Sequence, residues 1–316
     1  HDALPIYLDF LSSVPTVEII GLMITSDEFY VFPLLGTYYI NFNLSGCEVG
    51  GTRDVGARDN KVWCNANLRK AFSLSIDRDA ITETLALGQV SAGGFIAPGF
   101  IDYNGEDFFD NARSASEIVT DDGAYSLAVT YFELAANELY PEAANTAAAV
   151  ALLQYELETK SYHYNTSEGH QLIAEMMQAM WEENLGFTIQ LTNEEWALFQ
   201  ATRVEGDFDM ARGGWLTDFM DPYGMLEIFT QWNGYNDADY DSAAFEAAMA
   251  EASTATTSED HFEALYGAYG IFMEDMPVIP IYHYNDYYLV SSRITGWSRS
   301  VLGSIDFSTA SIGEAE

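Results

Sequence analysis

Strand-like and helix-like segments alternate along most of this chain, and that order restricts its fold more than any other feature. Patterns typical of β-strands cover residues 35–43, 159–164, 187–191, 207–213 and 277–290. Helical patterns cover residues 68–75, 78–87, 124–138, 142–153, 166–183, 193–203, 242–252 and 258–275. Helices that connect successive strands cover the faces of a parallel or mixed sheet. The sequence therefore predicts an α/β fold with a mainly parallel or mixed sheet and flanking helices.

Polar residues mark the points where several of these helices are expected to begin. Asn67, Asp77, Asn193 and Asp221 each precede a helical pattern, and Asp221 is followed by a proline. Asn and Asp side chains accept hydrogen bonds from the first N–H groups of a helix, and proline suits its first position. We therefore expect an N-cap at each of these four residues.

The charge balance argues against one large group of partners. The 316 residues include 49 Asp and Glu but only 12 Lys and Arg, for a formal net charge of −37. A polyanion of this kind repels phosphate backbones and anionic membranes, so no nucleic-acid partner is expected. No apolar run approaches about 18 residues, so we also expect no transmembrane segment in this chain.

Two cysteines, Cys47 and Cys64, flank a polar, glycine-rich stretch. Two free thiols and a disulfide both fit this spacing. A disulfide that closes a loop of this length contributes about 3 kcal/mol to stability, and it would suit an oxidising, extracytoplasmic compartment. No CxxC or Cys/His pattern accompanies the two cysteines, so no metal site is expected.

Motifs that would identify an enzyme are absent from the sequence. GxSxG, HExxH, GxGxxG and P-loop patterns do not occur. Paired carboxylates of the kind that glycosidases use do occur, but a chain with 49 acidic residues contains such pairs by chance. An acidic glycoside hydrolase therefore stays an alternative, and no cofactor is expected.

The segment Arg212–Asp218, with the sequence RGGWLTD, has the strongest pattern of a binding site. Two glycines at the end of the predicted strand let another backbone approach closely. Trp215 offers a flat apolar face with a polar edge, as binding clefts use. Capping explains Asp221 but not Asp218, so Asp218 is a candidate anchor for a cation such as an ammonium group.

Basic side chains are scarce, and three of them are candidates for binding a carboxylate. Arg203 and Arg212 are the only arginines between residues 113 and 293. Arginine binds a carboxylate through two parallel N–H bonds, but a surface or structural ion pair fits each of these arginines equally well. His170 lies in the first turn of a predicted helix, where free N–H groups favour anions, although a surface or capping histidine fits that position too. Trp196 precedes Arg203 by seven residues and shares its helix face.

Several motifs, taken in order, resemble one known family. The helix Leu68–Arg78, LRKAFSLSIDR, resembles a helix of the extracytoplasmic oligopeptide- and dipeptide-binding proteins of ABC importers. Leu35–Tyr39 resembles the hinge strand of that family, Asn165–His170 its strand-to-helix turn, and Ile279–Tyr284 its return strand. Trp181 to Trp196 and Gly214 to Pro222 keep the same order. The resemblance extends from about residue 35 to residue 310.

The resemblance implies a bilobal periplasmic-binding-protein fold, a Venus flytrap, that closes on an extended peptide. It assigns residues 37–283 to the C-terminal ligand-binding lobe and residues 1–36 to a remnant of the N-terminal lobe. Residues 284–316 would return to that N-terminal lobe. Members of the family are considerably longer, so we expect that this sequence lacks its N-terminal portion.

The resemblance also implies a role for most of the candidate residues. Asp218 would hold the α-ammonium group of a peptide. The main chain at Gly214 and Leu216 would pair with the peptide as an added strand would. Trp196 and Trp215 would form walls of the side-chain pockets.

At the other end of the ligand, the resemblance implies that Arg203, Arg212 and His170 meet the C-terminal carboxylate, each for a particular peptide length. The implied function is that of an extracytoplasmic, monomeric substrate-binding protein without enzyme activity. It would capture short peptides by their charged termini and backbone and deliver them to the permease subunits of an ABC transporter. The alternative is the same fold with another solute, namely nickel, haem, a glycan or a muropeptide.

Overall fold

The computed structural model describes residues 9–12, 14–47, 61–112 and 124–313. Its strands are β1 (Phe10–Leu11), β2 (Phe29–Phe42), β3 (Val90–Ser91), β4 (Ser161–Asn165), β5 (Gln190–Glu194), β6 (Met210–Leu216), β7 (Val278–Val290), β8 (Ile294–Thr295), β9 (Ser298–Arg299), β10 (Ile305–Asp306) and β11 (Ser311–Ile312). Its helices are α1 (Thr16–Thr25), α2 (Ala66–Leu74), α3 (Arg78–Leu85), α4 (Phe108–Ala112), α5 (Tyr125–Leu139), α6 (Thr146–Leu157), α7 (Glu168–Leu185), α8 (Trp196–Glu205), α9 (Tyr223–Leu226), α10 (Ala243–Thr254) and α11 (Ser258–Asp275). Short 3₁₀ turns cover Lys61–Cys64 and Glu227–Phe229.

A mixed sheet organises the described part of the chain, as the sequence predicts. The strand order is β1-β7-β2-β6-β4-β5, and β3 pairs with β7 as well. The pairs that β2 makes with β6 and β7 are antiparallel, whereas β4 is parallel to both β5 and β6. The parallel strands come from the β4-α7-β5-α8-β6 stretch, where a helix connects each strand to the next. The α/β class with a mixed sheet and flanking helices is therefore confirmed.

The segment Leu68–Arg78, which resembles the family motif, covers most of α2 and the first residue of α3, and it is almost entirely buried, arginines included. Arg78 donates to the carbonyl oxygens of Pro280 at 2.7 Å and Ser73 at 3.1 Å. Arg69 donates to the carbonyl oxygen of Met276 at 3.0 Å, and burial lowers its pKa to about 10. Buried cations are tolerated when their donors are bonded. These arginines therefore fasten α2 and α3 to the start of β7 and have a structural role.

Two of the four expected helix caps, Asn67 and Asn193, are not caps in the structure. Asp77 accepts a bond from the backbone N–H of Ala80 as expected, but Asn65 and not Asn67 caps α2. Asn67 instead donates from its side chain to Glu138. Asn193 lies inside β5, because pairing with β4 extends that strand to Glu194.

The cap expected at Asp221 is present in altered form. Its Oδ1 accepts a bond from the backbone N–H of Tyr223 at 2.8 Å. Pro222, expected at the first helical position, is the N-cap residue of the short helix α9.

The two longest strands, β2 and β7, contain the expected boundaries between the lobes, after residues 36 and 283. Their pairing shifts register between Pro33 and Thr37, which face Asn285 and His283 respectively. A bulge of this kind bends and twists a strand locally. The expected boundaries after residues 36 and 283 therefore coincide with a break in the ladder, and the division into lobes stays a prediction.

Two further features of the described residues are a disulfide and the character of the helices relative to a membrane span. Cys47 and Cys64 form a disulfide, which is the second of the two states that the sequence left open. The glycine-rich residues between them, 48–60, lie outside the described residues. In the described ranges, no helix combines the length and the apolar character that crossing a bilayer requires.

Candidate functional site

The candidate site is built around one unpaired edge of β6. On one side, β6 pairs with β2 from Met210 to Leu216. On the other side, it pairs with β4 only at Met210 and Ala211. The remainder of β6 therefore has a free edge in the described part of the chain, and this edge lies inside the sheet order and not at its margin.

The register shows which main-chain groups of β6 face this edge. The N–H of Thr217 donates to the carbonyl oxygen of Leu35, so these two residues form a hydrogen-bonded pair. Such pairs alternate with non-bonded pairs in an antiparallel ladder. Gly214 and Leu216 occupy the non-bonded positions, opposite Tyr38 and Gly36. Their N–H and C=O groups therefore point away from β2, and no described backbone group bonds them.

The two glycines of this strand make room for tyrosine side chains. A Cβ atom on Gly213 would overlap the ring of Tyr39, and one on Gly214 would overlap the hydroxyl of Tyr284. The close approach that the sequence predicts at these glycines is therefore, in this structure, an approach of side chains. The two tyrosines lie on opposite faces of the sheet, because residues 213 and 214 point to opposite faces.

Arg212 lies in a cluster of tyrosines, and no described carboxylate belongs to that cluster. Its guanidinium carbon is 5.1 Å from the centre of the Tyr38 ring, and its Nη2 donates to the Tyr284 hydroxyl at 3.1 Å. Its Nε is buried without a hydrogen-bond partner. Burial is the largest single influence on the pKa of Arg212 and acts to lower it, but the surrounding tyrosines, first Tyr284, outweigh burial when taken together, and the pKa is raised. The described residues place no carboxylate within ion-pair distance of this cation.

His170 belongs to the same cluster. Its Nδ1 lies 3.3 Å from the Tyr38 hydroxyl, and the two rings are 5.5 Å apart. Burial, reinforced by the positive charge of Arg212, lowers the pKa of His170 to about 4. The imidazole is therefore neutral near pH 7 and can donate one hydrogen bond beside the arginine.

Arg203 has the opposite environment. Its Nη2 forms an ion pair with the Asp237 carboxylate at 3.0 Å, and both side chains are almost completely buried. Its Nη1 donates to the carbonyl oxygen of Arg212 at 3.1 Å, and its guanidinium lies over the Phe199 ring. The structural ion pair, one of the two interpretations that the sequence left open for this arginine, is the one that the structure shows.

The two tryptophans and Leu216 lie beside the free edge. Trp215 is half-buried, donates from Nε1 to the carbonyl oxygen of Gly224 at 2.8 Å, and packs against the Tyr235 ring. Trp196, at the start of α8, and Leu216 are both about half exposed. These side chains offer apolar surface next to the outward-facing main chain.

Asp218 is exposed, two residues beyond Leu216. Burial, together with the negative charge of Asp218, raises the pKa of Glu227. The two carboxylates are therefore close enough to repel each other, which favours a cation between or beside them. The roles expected for Asp218 and the other candidates toward a peptide stay predictions.

Sequence reasoning missed the tyrosines around Arg212 and the partner of Arg203. Tyr38 lies on β2, and Tyr282 and Tyr284 lie on one face of β7. The alternation of Tyr282 and Tyr284 is a visible signal of a shared face. Asp237 has no comparable signal, because it is one of many acids in a loop.

The fold is a mixed α/β fold, and the free edge of β6 is a surface of the kind on which an extended ligand can pair. Residues 8–237 match the family described as bacterial extracellular solute-binding proteins, family 5 Middle. The chain therefore belongs to the family 5 solute-binding proteins, and the resemblance found in its motifs is confirmed. Members of this family are solute-binding proteins and not enzymes, so the glycoside hydrolase alternative is set aside.

Individual relatives are similar over nearly the whole chain. The oligopeptide-binding protein OppA of Bacillus subtilis is 30% identical over 304 residues, which are 94% of this chain and 48% of OppA. The periplasmic murein peptide-binding protein MppA of Escherichia coli is 28% identical over 271 residues, 85% of this chain and 44% of MppA.

The solved relatives include a peptide complex that is similar to this chain. The crystal structure of Haemophilus influenzae OppA in complex with RPPGFSPFR matches with a TM-score of 0.65 and 28% identity, and the match covers 92% of this chain and 51% of that protein. The chain thus spans about half the length of the relatives it matches.

Proposed function

We propose that this chain binds short peptides with free termini, as part of a solute-binding protein that delivers them to an ABC importer. The observation that carries the proposal is the free edge at Gly214 and Leu216, next to an arginine to which the described residues offer no carboxylate. A peptide strand and a carboxylate terminus are the ligand groups that satisfy these two features together.

The free edge matches a short peptide in direction and length. Gly214 and Leu216 each offer one N–H and one C=O, so they pair with two peptide residues that are themselves two positions apart. With an ammonium group at Asp218 and a carboxylate near Arg212, the peptide runs antiparallel to β6. An extended residue spans about 3.3–3.6 Å, so the three residues needed span about 10 Å.

The charges at the two ends of the edge are opposite in sign, as a zwitterion requires. Arg212 lies at one end and Asp218, with Glu227 nearby, at the other. A hydrogen bond to a charged group contributes roughly 1.5–3 kcal/mol net. When the Tyr38 hydroxyl donates to Nδ1 of His170, the proton of the neutral ring is on Nε2 and can be donated to the same carboxylate as Arg212.

The surroundings of the edge favour broad side-chain acceptance. Main-chain pairing makes no demand on ligand sequence. Trp196 on α8 and Trp215 on β6 offer flat apolar walls to alternate ligand side chains. Peptide termini and length, more than peptide sequence, are thus the features to be recognised.

A murein peptide is a second candidate ligand, because MppA is among the relatives. Nickel has less support, since the described residues contain no group of three or more potential metal-ligating His, Cys, Asp or Glu side chains. Relatives are named as periplasmic proteins, and the disulfide suits an oxidising compartment. We therefore propose an extracytoplasmic location.

Isothermal titration calorimetry with trialanine tests the proposal, with N-acetyl-trialanine and trialanine amide as matched ligands. We expect trialanine to bind and each blocked peptide to bind at least tenfold more weakly. Asp218→Asn should abolish the difference between trialanine and its acetylated form, while Asp27→Asn, at an exposed turn away from the site, should leave it unchanged. Equal affinity for free and blocked peptides would refute recognition of the termini.

A further inference from the structure

The two arginines beside the free edge differ in whether a carboxylate of the protein already pairs with them. This difference decides which of them can bind the carboxylate of a ligand. Arg203 is neutralised by Asp237 at 3.0 Å, whereas Arg212 is surrounded by tyrosines and has no carboxylate among the described residues. A carboxylate of this protein thus already occupies one of the two guanidinium groups that could receive the carboxylate of a ligand. A buried cation that lacks such a partner gains most from an incoming anion.

Asp237 is held in place by a well-bonded loop. The carbonyl oxygen of the next residue, Ala238, accepts a bond from the N–H of Leu44 at 2.9 Å. The side chain of Asn236 bonds both main-chain groups of Tyr240, at 2.8 and 3.0 Å. Asp237 is 6% exposed, so solvent screens its interaction with Arg203 only weakly.

The same loop touches the edge strand itself. Tyr235 packs on Trp215 with the ring centres 5.0 Å apart. The position of Asp237 is therefore coupled to the strand that carries the free edge.

Arg203 also limits the length of the free edge. Arg212 occupies a non-bonded position opposite Ile40, so its carbonyl oxygen points to the same side as those of Gly214 and Leu216. The Nη1 of Arg203 already donates to that oxygen. A peptide strand therefore finds free main-chain groups at Gly214 and Leu216 but not at the Arg212 carbonyl.

We propose that Asp237 is a specificity-determining residue, because it holds Arg203 against the end of the free edge and leaves Arg212 as the arginine that reads the ligand carboxylate. This inference rests on the proposed function, since it names which cation recognises the end of a peptide. Without the Asp237 charge, Arg203 is a second buried cation at the same end of the edge and receives carboxylates itself.

Acetate, the simplest carboxylate, provides a test that does not require a peptide to bind. The probe is the side-chain Nε–H signal of each arginine in ¹⁵N-labelled protein, followed by NMR during an acetate titration. In the unsubstituted protein, the Arg212 signal should shift and the Arg203 signal should stay. In Asp237→Asn, the Arg203 signal should shift as well, and Asp237→Glu should restore the original behaviour. An acetate-dependent shift of Arg203 in the unsubstituted protein would overturn the inference, as would an unresponsive Arg203 in Asp237→Asn.

Peptide binding supplies the second test, read as the ratio of affinities for trialanine and trialanine amide. Arg212→Met should reduce this ratio at least tenfold, and adding Asp237→Asn in that background should restore most of it. The double variant Arg203→Met/Asp237→Asn removes both charges of the pair without leaving one buried alone, and it should keep the ratio of the unsubstituted protein. If this double variant no longer prefers trialanine over trialanine amide, Arg203 is the arginine that binds the ligand carboxylate and Asp237 is not a specificity determinant.

The two tests separate the inference from the proposed function. If no peptide binds, the proposed function fails, and the acetate titration still decides which arginine is available. If peptides bind and the acetate titration shows both arginines responding in the unsubstituted protein, the proposed function stands and the inference fails. Circular dichroism checks whether Asp237→Asn folds. If this variant does not fold, the charge-free double variant Arg203→Met/Asp237→Asn supports or refutes the inference in its place.

Discussion

Replacing the two adjacent glycines of β6 by alanine should separate the packing of the sheet from the recognition of a ligand. A Cβ at residue 213 would overlap several ring atoms of Tyr39, and a Cβ at residue 214 would overlap the Tyr284 hydroxyl and lie 3.2 Å from Nη2 of Arg212. A Cβ at Gly234, in contrast, would meet nothing within 4 Å. Three identical chemical changes therefore test three environments.

The expected loss in the free energy of unfolding depends on how freely the side chain that the new Cβ meets can move. Tyr39 is 4% exposed, and its ring contacts those of Phe95 and Phe229. It cannot move without disturbing the core, so Gly213→Ala should cost about 2–3 kcal/mol, the upper part of the range for overpacking. The Tyr284 hydroxyl is the far end of a half-buried side chain, so Gly214→Ala should cost about 1–2 kcal/mol. Gly234→Ala should leave the free energy of unfolding within about 0.5 kcal/mol.

Urea unfolding measures these costs, and an acetate titration followed at Arg212 measures the effect on the site. Gly214→Ala should weaken acetate binding because it displaces the tyrosine that accepts a bond from Arg212. Gly213→Ala should lose more stability but retain acetate binding, since its clash is on the opposite face of the sheet. The reasoning is wrong if Gly213→Ala is no less stable than Gly234→Ala, or if it weakens acetate binding more than Gly214→Ala does.

Three further predictions concern burial, pH and the disulfide. Arg78→Met should destabilise the protein by about 3 kcal/mol or more in urea unfolding, because it leaves buried carbonyl oxygens without donors; a loss below about 1 kcal/mol would contradict the structural role of this arginine. The pKa of His170 is about 4 in the folded protein and 6.5 as the ordinary value, so the unfolded chain gains a proton that the folded one does not as the pH falls through this window. The protein should therefore lose more stability between pH 7 and pH 5 than its His170→Gln variant, and an equal loss would show that the histidine does not contribute. Removing the disulfide by replacing Cys47 and Cys64 with serine should cost about 3 kcal/mol, and thermal unfolding at the same midpoint with and without the bond would argue against it.

Local patterns predict the regular elements well where a long periodic segment or a cap is present. Residues 258–275 form a helix with the predicted bounds, and Asp77 caps α3 as expected. The strand predicted at residues 187–191 is observed at Gln190–Glu194, because pairing with β4 and not residue type determines where it begins and ends. Local patterns do not predict helix α1 or the short strands after residue 293.

The motifs of the family also locate the candidate site from the sequence alone. They single out the Arg212–Asp218 segment and His170, and the structure brings Arg212 and His170 together around Tyr38. They do not distinguish Arg203 from Arg212, since both are scarce arginines near the same strand. The difference arises from Asp237, which is 34 residues after Arg203 in the sequence and in contact with it in the fold.

The sequence by itself determined the alternation of strands and helices, and its motifs identified the family. Its charge also led to the expectation that no nucleic acid is a partner. Each of these depends on local spacing or on total composition, which need no knowledge of distant contacts. Only the tertiary structure decided, within the described part of the chain, which edge of β6 is free, which of its main-chain groups face outward and which arginine has no carboxylate partner. These properties depend on strand register and on the contacts of residues far apart in the chain, and a one-residue change of register would reverse the direction in which the groups of Gly214 and Leu216 point.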